Sequence, residues 1–224
     1  ISSFGQLMQY SMDTKHTLVT INEELSHIDR YIKLQKMRFT NHLSVFFEVE
    51  ETVRKIIVPK MILQPLIENS FKHGNLLKRE KGTILVQAHL KEGRLLHVYI
   101  VDNGCTPPPE KLAKINKLLM KLRQEYTHKL LTPNRLSSID GSSEKPTRQD
   151  ADLSIKNAAE NLYATNNIGL TNVLLRLLLN FGQECSMELY ANELGGTTVH
   201  LIISHKTLWN KTITGTEHTN EGIT

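Results

Sequence analysis

Three polar residues within little more than one helical turn give the sequence its first sign of chemistry. Asn69, Lys72 and His73 stand at positions i, i+3 and i+4 of a stretch whose apolar residues recur with a helical period, so their polar ends gather on one side of the helix. Gly74 follows and supplies a stop for that helix. An amide, an ammonium and an imidazole grouped in this way can hold a metal-bridged polyphosphate. An amphipathic helix whose polar side only faces solvent is the alternative when this stretch is taken alone.

A single carboxylate, Asp102, follows a run of residues that favour a buried strand. An ionised aspartate only accepts hydrogen bonds, so at this position it can accept the exocyclic amino hydrogens of an adenine. An aspartate in a turn before Asn103 and Gly104 is locally an equally good interpretation.

A glycine near the start of a later helical segment suggests a place for an anion. Gly169 lets the backbone approach a phosphate, and the helix that begins near Leu170 directs its free amide hydrogens toward such a group. Thr171 and Asn172 can add donors. Arg176 extends either toward phosphate or into solvent, and the sequence leaves both open.

The elements that must position these residues follow from periodicity and turn signals. We predict helices over residues 1–40, with a break near 14–20 and a capping box of Thr20 and Glu23 that starts a new helix at Ile21. Pro59 suits the first position of the helix that carries Asn69. The further predicted elements are strands at 43–50 and 54–58, a hairpin of 82–90 and 95–101, helices at 110–130 and 153–163, a loop at 132–152, and a closing hairpin of 186–191 and 197–204.

This order of elements predicts an α+β fold, a two-layer α/β sandwich in which one mixed sheet is covered on one side by helices. The composition, with 39% hydrophobic and 22% charged residues, is that of a globular protein. The formal net charge of +4 is modest and its basic residues are scattered, which argues against direct nucleic-acid binding. Cys105 and Cys185 lie far apart without a nearby partner, which argues against zinc and against a disulfide framework.

Three segments together resemble the motifs of sensor histidine kinases, specifically the LytS/YehU-like branch. Residues 63–74, LQPLIENSFKHG, are similar to that branch's N-box. Residues 101–104, VDNG, resemble the first glycine box, and residues 168–177, IGLTNVLLRL, resemble the second. The order and spacing agree over residues 18–204, and the ordered trio is more specific than any one motif.

The resemblance implies the Bergerat-type ATP-binding fold that histidine kinases share with gyrase B, Hsp90 and MutL, with ATP and Mg²⁺ as ligands. It implies that Asn69 coordinates Mg²⁺, that Lys72 contacts phosphate and that His73 lines the nucleotide. It further implies that Asp102 reads adenine and that Glu68 polarises the acceptor histidine. The remaining nucleotide-binding residues that it implies are Gly104, Gly169, Leu170, Asn172 and Thr197.

The same resemblance gives the predicted domain organisation. Residues 1–40 correspond to the end of the dimerising helices and the connector, 41–205 to the ATP-binding domain with an insertion at about 107–166, and 206–224 to a flexible tail. The family's phosphate-accepting histidine lies upstream in an Asn-Pro-His-Phe-type motif that this chain lacks, and we interpret His16 and His27 as helix-surface residues.

The implied partners are a second copy, bound through upstream helices and residues 1–40, and a response regulator. The resemblance implies the cytoplasmic domain of a bacterial inner-membrane protein, with the membrane reached only through segments upstream. No contact with nucleic acid is expected.

Two departures from the family pattern keep a second function open. Thr106, followed by three prolines, stands where the first box has its second glycine, and Asn167 replaces the first glycine of the second box. The main hypothesis is a kinase domain that transfers the γ-phosphoryl group of ATP to a histidine upstream, and from there to a response regulator. The alternative is a catalytically degenerate dimerisation or signal-relay module. An ATPase of the gyrase or MutL kind is disfavoured because Pro65 stands where those proteins carry an acidic residue.

Overall fold

A five-stranded mixed sheet forms the centre of the computed structural model, which describes residues 17–38, 43–76, 79–131 and 168–204. The strands of the described chain are β1 (Leu18–Thr20), β2 (Leu43–Val49), β3 (Ile57–Pro59), β4 (Gly82–Lys91), β5 (Leu95–Asp102), β6 (Cys185–Ala191) and β7 (Thr197–Ser204). The main sheet has the order β2-β4-β5-β7-β6, in which β2 and β4 are parallel and the other pairs antiparallel. β1 and β3 form a separate antiparallel pair.

Helices cover one face of this sheet. They are α1 (Ile21–Arg38), α2 (Glu51–Arg54), α3 (Gln64–His73), α4 (Pro109–Leu131) and α5 (Ile168–Phe181), and a 3₁₀ turn (Gly182–Glu184) follows α5. On β4 the alternate residues Ile84, Val86 and Ala88 are buried in the core, whereas the intervening side chains are only half-buried. This period-two burial is what a sheet packed on one side produces. The predicted two-layer α/β sandwich is confirmed.

Most of the predicted elements are present within a residue or two of their expected ends. β2, the central hairpin β4–β5, α4 and the closing hairpin β6–β7 all occur where the sequence pattern places them. The predicted loop at 132–152, the helical segment at 153–163, Asn167 and the tail at 206–224 lie outside the described residues. Within the described part, no helix is both long and apolar enough to span a membrane.

The start of α3 differs from the prediction. Pro59 ends β3 instead of opening the helix, and α3 begins at Gln64 with Pro65 in its first turn. Met61 has a φ of 63°, in the left-handed region that a non-glycine residue rarely adopts, so a helix cannot run through it. The segment predicted as a strand at 54–58 is likewise divided between the end of α2 and β3.

β1 lies in the predicted break before α1. The predicted capping box of Thr20 and Glu23 is present at the start of α1. The Glu23 carboxylate accepts the Thr20 backbone amide at 2.7 Å and the Thr20 hydroxyl at 2.8 Å, and that hydroxyl oxygen accepts the Glu23 amide at 3.2 Å. These bonds satisfy donors that a helix start would otherwise leave unpaired.

The interpretation of His27 as a surface residue was wrong, and that of His16 lies outside the described residues. His27 is fully buried on α1, whose apolar side chains join the same core as the sheet and α3. These core side chains of α1 are Ile21, Leu25, Ile28 and Ile32. A polar residue on the buried side of a helix breaks the apolar period, so the period alone assigned it to solvent. The dimerising role of residues 1–40 stays a prediction.

Candidate functional site

The side chain of Asp102, at the end of β5, is 2% exposed and is surrounded by hydrogen-bond donors. Its Oδ1 accepts the backbone amides of Gly104 at 2.8 Å and Thr197 at 3.2 Å, and its Oδ2 accepts the Ser70 hydroxyl at 2.9 Å. A carboxylate offers about four acceptor positions. Among the described residues three are used, which leaves Asp102 able to accept one more hydrogen bond.

Burial raises the pKa of Asp102 because removal from water disfavours the charged carboxylate. The hydrogen bonds from Gly104, Ser70 and Thr197 and the nearby charge of Arg79 lower that pKa and oppose the effect of burial. These donors and Arg79 therefore stabilise the charged form of the Asp102 carboxylate in a buried position, where a carboxylate without them would be unfavourable.

Two glycines let neighbouring backbone approach this carboxyl group closely. A Cβ on Gly196 would lie 2.1 Å from the Asp102 carbonyl oxygen and 2.6 Å from Asp102 Oδ1. A Cβ on Gly104 would lie 2.5 Å from the Gly74 Cα. Because these distances are far below van der Waals contact, only glycine fits at either position.

A small open pocket lies beside Asp102. It is formed where the end of α3, the start of α4, the first turn of α5 and the strands β5, β6 and β7 meet. Its lining residues are Asn69, His73, Gly74, Asp102, Pro107, Lys111, Ile115, Leu170, Leu189 and Thr197. Apolar walls with a few polar groups are typical of small-ligand sites.

The structure brings half of the predicted site residues into this pocket, namely Asn69, His73, Asp102, Leu170 and Thr197. The other five, Glu68, Lys72, Gly104, Gly169 and Asn172, are not among its lining residues. Gly104 still shapes the pocket through its contact with Gly74 and Asp102, and Gly169 packs against Pro65. Their roles in binding stay predictions.

Glu68 and Lys72 lie next to each other on α3, one turn apart. The Lys72 ammonium is 3.6 Å from a Glu68 carboxylate oxygen, and its side chain is 72% exposed. The other Glu68 oxygen accepts the side-chain amide of Gln64 at 2.8 Å. An exposed ion pair of this kind contributes little to stability, so Lys72 can turn toward another anion at small cost.

Sequence reasoning missed the contribution of α4 to the pocket. Pro107 and the residues Lys111 and Ile115, which stand one turn apart on α4, line it together with Leu189 of β6. Pro107 and Pro108 precede α4 and Pro109 is its first residue. The sequence indicated only a stiff connection there, yet Pro107 lies in the pocket wall. The i, i+4 spacing of Lys111 and Ile115 was visible, but nothing in it indicated which side of α4 faces a ligand.

Thr106, which departs from the glycine pattern, ties two turns together. Its hydroxyl oxygen lies 2.8 Å from the carbonyl oxygens of both Gly195 and Gly196 and donates to one of them at a time. The first glycine-box turn is thus anchored to the β6–β7 turn, and Gly196 also contacts Asp102. The substitution stiffens the wall of the pocket without filling it.

The turn after Asp102 is fixed by the side chain of Asn103. Its Oδ1 accepts the Thr83 amide at 2.7 Å, and its Nδ2 donates to the Lys81 carbonyl at 2.9 Å. The Arg79 guanidinium donates to the Asn103 carbonyl oxygen. These bonds hold Gly104 in reach of the Asp102 carboxylate.

Arg176, which the sequence left undecided between phosphate and solvent, braces the loop before α3. Its guanidinium donates to the carbonyl oxygens of Lys60 at 3.1 Å and Met61 at 2.8 Å. Positive charge at the pocket comes from elsewhere. Lys111 stands in its wall, and Leu170 borders it from the first turn of α5, where backbone amides carry a partial positive charge.

No group of three or more His, Cys, Asp or Glu side chains able to hold a metal ion occurs in the described ranges. A divalent cation at the pocket would have to combine a protein oxygen, such as the amide oxygen of Asn69, with oxygens of a ligand. Mg²⁺ is commonly held in this way, through one or two protein oxygens together with phosphate and water. The residues present fit such a shared cation.

Comparison with known proteins agrees with the motifs. Residues 1–43 match the family model described as histidine kinase. An uncharacterized sensor-like histidine kinase of Staphylococcus epidermidis is 34% identical over 128 residues, which cover 57% of this chain and 24% of that protein. The sensor protein kinase HptS of Staphylococcus aureus is 33% identical over 120 residues, 53% of this chain and 22% of that protein.

The chain thus spans about a quarter of the length of these curated relatives. Among solved structures, a mycobacterial sensor histidine kinase, MprB, is 14% identical with a TM-score of 0.47, over 84% of this chain and 97% of that one. The resemblance to sensor histidine kinases predicted from the three motifs is confirmed by the family model and the curated relatives.

Proposed function

We propose that this chain, similar to sensor histidine kinases, contains the ATP-binding catalytic region of such a kinase. It transfers the γ-phosphoryl group of ATP to a histidine of the longer protein and from there to a response regulator. The observation that carries the proposal is the buried Asp102 carboxylate, which retains an acceptor position beside a pocket that it shares with Asn69 and His73. We further propose a homodimer that acts on the cytoplasmic side of a membrane.

The base-binding end of the pocket suits adenine. Asp102 accepts a hydrogen bond from the 6-amino group of adenine. Guanine has no such donor, because it carries a carbonyl oxygen at that position. Ile115, Leu170 and Leu189 supply apolar surface for the faces of a planar base. The donors around Asp102 keep its carboxylate in place, so little reorganisation accompanies binding.

The phosphate-binding end is assigned to Asn69, His73, Lys111 and the first turn of α5. Mg²⁺ held between Asn69 and the phosphates would neutralise their negative charge, which is the main requirement of phosphoryl transfer. Lys72 is exposed and only weakly paired, so it can turn to a phosphate oxygen. Gly104, Gly169 and Asn172 act through the backbone shape and amides of the two glycine boxes. Thr197 acts through its backbone amide, which donates to Asp102.

The transfer itself needs a neutral imidazole as nucleophile. A nitrogen of the acceptor histidine forms a bond to the γ-phosphorus while the bond to the bridging oxygen of the β-phosphate breaks, and ADP leaves with that electron pair. We assign Glu68 to accept a hydrogen bond from the other imidazole nitrogen and so to stabilise the positive charge that develops on the ring. Glu68 is partly exposed at the edge of α3, where a second protein segment can reach it.

A degenerate signal-relay module is the second candidate function. The observation that favours it concerns Thr106, which stands where the family has a glycine. Its hydroxyl ties this turn to the carbonyl oxygens of Gly195 and Gly196. If that stiffness prevents the pocket from opening, the domain would keep its fold and lose nucleotide binding.

Calorimetric titration of Mg-ATP into the chain separates the two. We expect saturable, magnesium-dependent binding that weakens about 10-fold to 100-fold in Asp102→Asn, because a hydrogen bond to a charged acceptor is lost. Asn69→Asp should also weaken it, whereas Asp29→Asn, which removes an exposed carboxylate on α1, should leave affinity unchanged. Mg-GTP should bind far more weakly than Mg-ATP. Absence of saturable Mg-ATP binding by the unaltered chain would favour the relay module.

A further inference from the structure

A chain of side-chain hydrogen bonds leads from the buried face of α1 to Glu68. His27 Nε2 is hydrogen-bonded to Gln64 Oε1, and Gln64 Nε2 donates to Glu68 Oε1 at 2.8 Å. We call these three residues the His27–Gln64–Glu68 chain. Its first hydrogen bond joins His27 and Gln64, which are 37 positions apart in sequence.

The chemistry of the groups fixes the direction of these bonds. An ionised Glu68 only accepts, so the NH₂ end of the Gln64 amide must face it. The Gln64 oxygen then faces His27, and the hydrogen between them must be carried by His27 Nε2. If the amide were turned over, two acceptor oxygens would meet at Glu68. Each member therefore determines the orientation of the next.

The α1 end of the chain is rigid. His27 is fully buried, and Glu24, one turn earlier on α1, is 1% exposed. The Glu24 carboxylate accepts the backbone amides of Met61, Ile62 and Leu63, which immediately precede Gln64. One turn of α1 thus holds both the loop before α3 and the first side chain of α3.

The opposite side of Glu68 is held only weakly. Its other oxygen lies 3.6 Å from Lys72, whose side chain is 72% exposed, and such pairs contribute little. The charged groups near His27 are Glu24, Arg30 and Lys60, while Lys72 is the cation paired with Glu68. Gln64 is therefore the stronger of the two constraints on the carboxylate.

We propose that Gln64, held by His27, is a positioning residue that fixes the Glu68 carboxylate for phosphoryl transfer, and that α1 sets this position from outside the nucleotide pocket. The inference rests on the proposed function, because it concerns the residue that holds Glu68 in place. Through His27 and Gln64, it links α1 to the carboxylate that contacts the acceptor histidine. None of the three residues lines the nucleotide pocket, so the link acts on transfer and not on nucleotide affinity.

The test measures autophosphorylation of the full-length protein as a function of Mg-ATP concentration. Gln64→Met keeps the length of the side chain and removes both hydrogen bonds, and we expect kcat to fall about 10-fold with KM for Mg-ATP within twofold of the unaltered protein. Gln87→Met is the matched control, because Gln87 on β4 also donates to a glutamate, Glu48, at 2.7 Å and is not among the residues that line the pocket. It should leave both constants unchanged.

A double-mutant cycle shows whether Gln64 acts through Glu68. In a Glu68→Gln background, adding Gln64→Met should cause no further loss of kcat, because the carboxylate that it positions is gone. Full additivity of the two losses would overturn the inference, as would a Gln64→Met protein with unchanged kcat or with kcat and affinity reduced together. If Glu68→Gln alone leaves kcat unchanged, the proposed role of Glu68 fails, which is a different result from failure of Gln64.

Discussion

The carboxylate of Glu24 accepts the backbone amide of Met61 at 2.7 Å, across 37 residues of sequence. The same carboxylate accepts the amides of Ile62 and Leu63, each at 3.0 Å, and it is 1% exposed. Met61 has a left-handed backbone with a φ of 63°, which costs energy for a residue with a side chain. A buried carboxylate from α1 thus stabilises the loop that places α3, and with it Asn69 and His73, in the pocket.

Replacement of Glu24 by glutamine should destabilise the fold. The new side-chain amide would present an NH₂ group to backbone donors, so at least one buried backbone amide would lose its acceptor. We expect the free energy of unfolding to fall by about 2 kcal/mol, the range for a lost hydrogen bond to a charged group. Urea titration followed by circular dichroism measures it.

Glu193→Gln is the control for this change, since Glu193 is an exposed carboxylate in the turn between β6 and β7. Its free energy of unfolding should stay within about 0.5 kcal/mol of the unaltered chain. Equal urea midpoints for Glu24→Gln and Glu193→Gln would show that the Glu24 contacts do not stabilise the loop.

The backbone approach at Gly196 gives a second prediction. In Gly196→Ala the new methyl group would lie 2.1 Å from the Asp102 carbonyl oxygen, so β5 and the β6–β7 turn must move apart. We expect the free energy of unfolding to fall by about 3 kcal/mol, the upper part of the range for overpacking. The same methyl group would lie 2.6 Å from Asp102 Oδ1 and would displace that carboxylate from its hydrogen-bond donors. Because hydrogen bonds to a charged group are among the stronger ones, we expect Mg-ATP affinity to fall at least about 10-fold as well.

Gly93→Asn is the matched control for Gly196→Ala. Gly93, in the β4–β5 turn, has a φ of 62° with no atom within 4 Å of the position that a Cβ would take, and asparagine tolerates such a backbone. Urea midpoint and Mg-ATP affinity should both remain close to those of the unaltered chain. A Gly196→Ala protein that behaves like Gly93→Asn would contradict the close approach.

The sequence predicted the fold well because each main element has a strong local signal. The alternation in β4 and β5 and the apolar period of α4 act within one element, and the order of elements then limits the possible sheets. For the candidate site, the motifs named Asn69, His73, Asp102, Leu170 and Thr197, and these five residues line one pocket. Their roles in binding stay predictions. The prediction that these residues, which are far apart in sequence, share one site came from the family resemblance and not from local periodicity.

What could not be predicted depends on contacts between segments far apart in sequence. Lys111 joins the pocket because of how α4 packs on β6, and its own spacing does not reveal which side faces inward. His27 was assigned to the surface because its partner Gln64 lies on another helix. Pro59 was predicted to start the helix because the residues around it do not indicate that the Glu24 carboxylate binds the backbone of the loop that follows.

The pH dependence of stability gives a third prediction, which concerns the face of the sheet opposite the helices. There the His97 Nδ1 lies 2.8 Å from the His200 Nε2, and both residues are buried, each 7% exposed. Burial, followed by the nearby charges of His200, His89 and Lys91, lowers the pKa of His97 below its ordinary value of 6.5. Burial also lowers the pKa of His27.

A histidine whose pKa is lowered by folding binds its proton more readily in the unfolded chain. As pH falls through about 6.5, the unfolded state takes up protons first, so the free energy of unfolding falls and then levels off below the folded-state pKa. We expect the urea midpoint to be lower at pH 5.5 than at pH 7.5. His97→Gln should reduce this difference, whereas Gln87→Met, a non-titrating change on the adjacent strand β4, should retain it. Asp102, whose pKa is raised by burial, acts in the opposite direction in both proteins. An equal pH dependence in His97→Gln and the unaltered chain would contradict the assignment of the lowered pKa to buried His97.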